Sequence, residues 1–189
     1  SGEVRYVRST GAVKLDSKGD IETIFGVFQD ITEKKQTELD LEHQKSLFEA
    51  VFNESIDAIV IADKERNIIL CNPAVTKIYG YEPEELIGQK TEIFYPSHED
   101  YEKLGQERFN EDVGRAEGLF EIGFKCKDGS IIPCEAIGTP FNDHLGEVAG
   151  YIAVTRNISE RKEKDSRILK AMDEAIKASY VKSTFLANM

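Results

Sequence analysis

One stretch of this chain occurs twice, in constant register and without a gap. Residues 1–35 end in Gly26-Val27-Phe28-Gln29-Asp30-Ile31-Thr32-Glu33-Lys34-Lys35, and residues 128–162 end in Ala153-Val154-Thr155-Arg156-Asn157-Ile158-Ser159-Glu160-Arg161-Lys162. Val154 lies 127 positions after Val27, and the same offset superposes Gly2 on Gly129, Gly11 on Gly138, Asp16 on Asp143 and Gly19 on Gly146. A period of that length is one small domain, not a solenoid unit. The chain therefore reads as the tail of one domain, a connector, a complete domain of the same kind, and a second connector.

Several function classes are disfavoured before any motif is considered. A net charge of −11 leaves no basic surface of the kind that phosphate backbones need, so nucleic acid is not an expected partner. The longest apolar run, Ala58-Ile59-Val60-Ile61-Ala62, is too short to span a bilayer. Three scattered cysteines, Cys71, Cys126 and Cys134, make no disulfide framework and point to a reducing, cytoplasmic setting. No C-x-x-C and no histidine pair suggests zinc.

Punctuation residues divide the rest. Residues 3–15 and 20–29 read as strands around the turn Asp16-Ser17-Lys18-Gly19, and Thr32 as the N-cap of a charged helix to about Phe52. The last apolar positions of that helix, Leu47, Phe48, Val51 and Phe52, form one stripe for a core or a partner helix. Strands at 57–63 and 67–71 follow, then a helix capped by Asn72 with Pro73 at its first position, ending at Gly80. Pro83–Leu86 is a short helix stopped by Gly88, and Ser97 with Asp100 opens a helix through about 112, ended by Gly114. Strands at 117–126, 130–141 and 147–157 lead to Ser159, the expected cap of a long polar helix. The order β-β-α-α-α-β-β-β is an α+β domain, an antiparallel sheet with its helices on one side.

The turn Lys127-Asp128-Gly129 admits two strand registers: a two-residue Asp-Gly loop puts Glu135 on the face of Phe120 and Phe124, and a three-residue loop, which keeps that carboxylate off it, is the expected one. A three-residue loop with Gly129 left-handed puts Ile132, Cys134 and Ala136 on the face of Phe120, Ile122 and Phe124, and leaves Glu135 in solvent. Cys134 then lies opposite Ile122 and Cys126 opposite Ser130, on the order of 13 Å apart along the sheet, beyond disulfide reach.

Asn72-Pro73-Ala74, the string Gly80-Tyr81-Glu82-Pro83-Glu84-Glu85-Leu86-Ile87-Gly88, Lys127-Asp128-Gly129 and the exit Asn157-Ile158-Ser159-Glu160-Arg161-Lys162 together resemble a PAS domain. The exit Asp30-Ile31-Thr32-Glu33 is similar to the same family's D-I-T motif. The resemblance implies a five-stranded antiparallel sheet cupped by helices and flanked by long signalling helices. It divides the chain into the last strands of a preceding PAS domain (1–32), a linker helix (33–52), a complete PAS domain (53–158) and a coiled-coil signalling helix (159–189). Lys182-Ser183-Thr184-Phe185-Leu186-Ala187-Asn188-Met189 resembles the start of the dimerisation and phosphotransfer helix of bacterial sensor histidine kinases. In that family the phosphorylated histidine comes next, and none of His43, His98 or His144 sits in such a motif. The chain itself is therefore expected to have no catalytic residue, with the kinase domains supplied by a parent protein that can be membrane-anchored.

The resemblance also implies candidate sites. A small-molecule pocket is expected among Phe120, Ile122, Phe124, Cys134, Ala136, Tyr151 and Ala153. The space over the small residues takes either a ligand or a bulky side chain such as Phe94, Tyr95 or Phe109, and close packing favours the side chain. No Arg or Lys is expected to point inward, so any ligand would be uncharged or weakly polar. Haem is disfavoured because the positions matching the family's axial histidine are about Lys103 and Leu104, with His98 exposed one turn earlier. Covalent flavin photochemistry is disfavoured because Glu107-Arg108-Phe109-Asn110 lacks a cysteine. Asn72, Asn157 and Ser159 are the structural and signalling residues, with a Glu85–Lys127 salt bridge. Leu169, Met172 and Ile176 have the spacing of a two-helix seam, and a parallel homodimer is the expected assembly.

Overall fold

The computed structural model describes residues 4–109 and 118–187, with side chains through residue 177. The chain divides into two compact units, Ser1–Val51 and Phe52–Met189. The first holds strands β1 (Val7–Leu15) and β2 (Ile21–Asp30), which form an antiparallel hairpin, and most of helix α1 (Thr32–Glu54). Every residue of both strands is exposed, so the hairpin is held by its ladder and its turn rather than by a core.

The second unit runs β3 (Ala58–Asp63), β4 (Ile68–Cys71), α2 (Ala74–Tyr79), α3 (Pro83–Leu86), a single 3-10 turn (Thr91–Phe94), α4 (His98–Arg108), β5 (Phe120–Lys125), β6 (Ile131–Asn142), β7 (Val148–Asn157) and α5 (Ser159–Ala187). Its antiparallel sheet has the order β4-β3-β7-β6-β5. The inner face carries Ala58, Val60, Phe124, Cys134 and Ala136, and Val75, Tyr79, Leu86, Phe94 and Tyr101 from the helices close over it. Pro133 pairs only towards β5 and Pro140 only towards β7, so neither costs the ladder a donor it needs. The expected register holds: Cys134 faces Ile122, Cys126 donates to the Ser130 carbonyl at 2.8 Å, and Gly129 is left-handed at φ 85°. All three cysteines are buried and unpaired. Among the described residues no helix is long and apolar enough to cross a membrane.

The repeat in sequence is also a repeat in geometry. The β1–β2 ladder ends in a register shift at Leu15↔Ile21, and β6–β7 ends in one at Asn142↔Val148. In the turns, Asp16 Oδ1 accepts from the backbone of Lys18 (2.8 Å) and Asp20 (3.0 Å), as Asp143 Oδ1 accepts from Leu145 (2.8 Å) and Glu147 (3.1 Å). Gly19 and Gly146 close them at φ 89° and 88°, a conformation that excludes most other residues. At the exits the Ile31 N–H donates to the Tyr6 carbonyl and the Ile158 N–H to the Pro133 carbonyl, at 2.9 and 3.0 Å.

Three local expectations are corrected. Thr32 and Ser159 are the first helical residues, not caps. Asp30 Oδ1 accepts from Thr32 N–H (2.9 Å) and Asn157 Oδ1 from Ser159 N–H (2.8 Å), so the residue two positions earlier satisfies the first donor. Asn72 does not cap α2, because its side chain is committed to the strands. Helix α4 stops at Arg108, before residue 112, because Phe109 turns its ring onto the sheet. The expected stop at Gly114 and the strand start at 117 lie outside the described residues. So do Asn188, Met189 and the side chains of the kinase-like string from Lys182.

Candidate functional site

A cavity of about 50 Å³ lies between the inner sheet face and the helices. Strand alternation decides its floor: on β7, Tyr151, Ala153 and Thr155 point inward, opposite Ala62, Val60 and Ala58 of β3. Phe124 of β5 meets Tyr79 and Tyr95 edge-on, at centroid distances of 6.0 and 5.5 Å. Of the expected pocket residues, Phe120, Phe124, Ala136, Tyr151 and Ala153 line this space. Cys134 and Ile122 do not. They sit toward the end of the sheet where Tyr79, almost wholly buried, occupies the room; burial drives its phenol pKa far upward, with Thr155 as its hydrogen-bond partner. Phe94, Tyr95 and Phe109, the bulky side chains expected over the small residues, all reach the cavity. The Phe109 ring lies so close to Gly138 that a Cβ there would stand 2.3 Å from it.

The expectation that no cation points inward is overturned by Arg66. It is only 9% exposed, lines the cavity, and holds a left-handed φ of 63° in the β3–β4 turn. Its guanidinium donates to the Tyr101 carbonyl (3.0 Å) and the Tyr95 hydroxyl (3.3 Å), and lies 3.6 Å from the centroid of the Tyr101 ring. Phe109 is 5.4 Å away on another side. A turn written Asp63-Lys64-Glu65-Arg66-Asn67 gives no hint that its arginine folds inward. The available signal was Gly105: a glycine inside a helix costs about 1 kcal/mol unless something must come close, and here a Cβ would meet Arg66 Nη1 at 2.4 Å.

Asn72 is wholly buried at the junction of linker and sheet. Its Oδ1 accepts from Ile59 N–H (2.9 Å), and its Nδ2 donates to the carbonyls of Phe52 (3.0 Å) and Asp57 (2.9 Å). It thus ties the end of α1 to the start of β3. Lys127 Nζ meets both Glu85 carboxylate oxygens at 2.6 Å, the expected pair between α3 and the β5–β6 turn. Lys127's hydrogen bond holds Glu85 below the usual carboxylate range.

The outer sheet face carries the exit. Glu121 and Glu135 lie opposite each other on β5 and β6. Arg161, in the first turn of α5, bridges them at 3.0 and 3.1 Å, and Lys162 joins Glu121. Glu135 is therefore not left in solvent as expected, because the helix start folds back over it. Asp57 and Arg156 form a two-point pair beside this site, at 2.9 and 2.7 Å. Farther along α5, Leu169, Met172 and Ile176 are 66%, 57% and 65% exposed. In α1, Phe52 is buried while Leu47, Phe48 and Val51 are largely exposed. His98 is exposed and bonded to Glu92 at 2.8 Å, and Leu104 packs on the core. Among the described residues no group of three or more His, Cys, Asp or Glu is placed to hold a metal ion.

The family model described as PAS fold matches residues 46–158. The chain is 23% identical over 161 residues to the probable diguanylate cyclase DgcE of Escherichia coli, covering 85% of this chain and 15% of that protein. It is 26% identical over 135 residues to the methanogenesis regulatory histidine kinase FilI of Methanothrix harundinacea, covering 70% and 15%. A solved PAS domain from a Colwellia psychrerythraea protein superposes with a TM-score of 0.56 at 26% identity, over 64% of this chain and 99% of that one. The chain thus spans about 15% of the length of these two curated relatives.

Proposed function

From the premise that the chain belongs to the PAS family, whose model matches more than half of it, we propose that it is the sensory and relay region of a two-component sensor histidine kinase. In this reading the chain performs no catalysis. Its core biases helix α5, which pairs in parallel with the same helix of a second copy through Leu169, Met172 and Ile176 and carries the signal to kinase domains of the same parent. The observation that carries the reading is the exit junction, built twice with the same hydrogen bonds, in which the end of a sheet sets the start of a charged helix. The likeness to FilI and the apolar seam left exposed on α5 support it.

The test is a chimaera in which residues 1–189 drive the phosphotransfer and ATP-binding parts of a histidine kinase. Inserting one to seven residues after Lys170 should change autophosphorylation with the period of the helix, and a seven-residue insertion should restore it. Output indifferent to register would sink the relay. A cyclase output in place of a kinase is the rival suggested by DgcE, and the same insertion series on a cyclase fusion separates the two. A second reading, a constitutive dimerisation spacer with a filled core, is favoured by the small cavity, since about 50 Å³ is far below the ~150 Å³ that holds benzene. Native mass spectrometry that finds the dimer with no retained small molecule, together with unmodulated output, would select it.

A further inference from the structure

Arg66 is the one buried cation of the second unit, among the described residues, and no ion pair there neutralises it. A guanidinium carries five N–H donors, and Arg66 directs two of them to protein acceptors, the Tyr101 carbonyl and the Tyr95 hydroxyl. Aromatic faces compensate a buried cation only in part, and a charge removed from water calls for an opposite charge beside it. The backbone sharpens the point. The Asp63–Asn67 turn is closed by the same hydrogen bonds as the turns at Asp16 and Asp143, so the arginine at φ 63° occupies the left-handed position that glycine fills in the other two. Gly105, which leaves room for the guanidinium, is a second concession to the same side chain.

We propose that the cavity is a site for a small carboxylate, with Arg66 as its counter-charge. The volume sets the size: about 50 Å³ exceeds the ~10–15 Å³ that one water needs and is well below the ~150 Å³ that holds benzene. That room suits an anion of three or four heavy atoms, such as formate or acetate. Its oxygens meet the guanidinium and its carbon faces Ala136 and Ala153 on the sheet. This inference rests on the sensory reading for its meaning, but not for its test.

The experiment is calorimetric titration of the whole chain with sodium acetate and sodium formate at constant ionic strength, with chloride and acetamide as controls. One of the two carboxylates should bind saturably, at least tenfold more tightly than acetamide, the neutral molecule of the same shape. Arg66→Met should abolish that binding. Ala136→Val, which fills the cavity and leaves Arg66 in place, should abolish it too, so the result stands even if the arginine variant fails to fold. No saturable binding of either anion, equal binding of acetamide, or binding that survives Ala136→Val would overturn the proposal. A failed titration beside a helix-periodic chimaera would remove the carboxylate and leave the relay standing.

Discussion

Asn72 shows how one side chain can hold three segments. Its single amide satisfies the Ile59 N–H and the carbonyls of Phe52 and Asp57, the bond to Phe52 buried and the other two partly so. Asn72→Ala deletes all three bonds, each worth about 0.5–1.5 kcal/mol net, so we expect a loss of about 2–4 kcal/mol of stability. Urea unfolding should show it as a lowered midpoint at unchanged slope. The thiols give a second prediction. Burial pushes Cys71 up to about 11 and Cys134 up to about 12, with Glu84 and Cys126 respectively as secondary causes. Almost no thiolate is present at pH 8, and both groups are shielded. A disulfide reagent should leave them unmodified in the folded protein and label them on unfolding; labelling Cys134 at the rate of a free thiol would contradict the packing. At this scale legibility followed locality. Gly129 and the inward set Phe124, Ala136, Tyr151 could be read from turn chemistry and alternation, and the Glu85–Lys127 pair from the family resemblance. Arg66 could not, because its destination is set by Gly105 and Tyr101, about forty residues away in the chain.

Among the elements, the two exits share one construction: a carboxylate or amide at the strand end accepts the first helical N–H, two positions on. Sequence placed the helix starts correctly but named Thr32 and Ser159 as the caps. Asx geometry at Asp30 and Asn157 competes with the usual cap pattern, and a string of letters does not show which wins. Asn157→Ala should cost about 1 kcal/mol, read as a lower unfolding midpoint, whereas Ser159→Ala should change little. Beyond the cap, α5 is latched to the outer face by Arg161 and Lys162 on Glu121 and Glu135. Lys162's hydrogen bond holds the Glu121 carboxyl below its ordinary 4.5, and Arg161 adds to it. A carboxyl lowered on folding contributes fully above its unfolded value and loses that contribution as pH falls through the folded one. The latch should therefore hold from neutral pH down to about 4.5 and release below it. A spin-label distance between residue 165 and the sheet, followed from pH 7 to pH 3, would check this. The distance should widen only at the acid end, and at pH 7 in Glu121→Gln/Glu135→Gln.

For the whole molecule, the unequal content of the two units decides what can fold alone. The offset maps the buried Tyr151 and Thr155 of β7 onto Ile24 and Phe28 of β2, which are 69% and 75% exposed. The hairpin thus repeats an inner face without the helices that cover it in the second unit, and two strands alone are marginal in water. The family, element order and sheet could be read in advance because the motifs sit at turns and helix ends, while the cover of the hairpin leaves no local trace. We therefore expect residues 46–177, which keep Phe52 and its bond to Asn72, to unfold within about 2 °C of the main transition of the full chain. Residues 1–45 alone should show no cooperative transition by circular dichroism. A fall of more than ~5 °C on removing residues 1–45 would mean that the hairpin's apolar face is buried against something in solution. In that case Phe28→Asp in the full chain should reproduce the same loss.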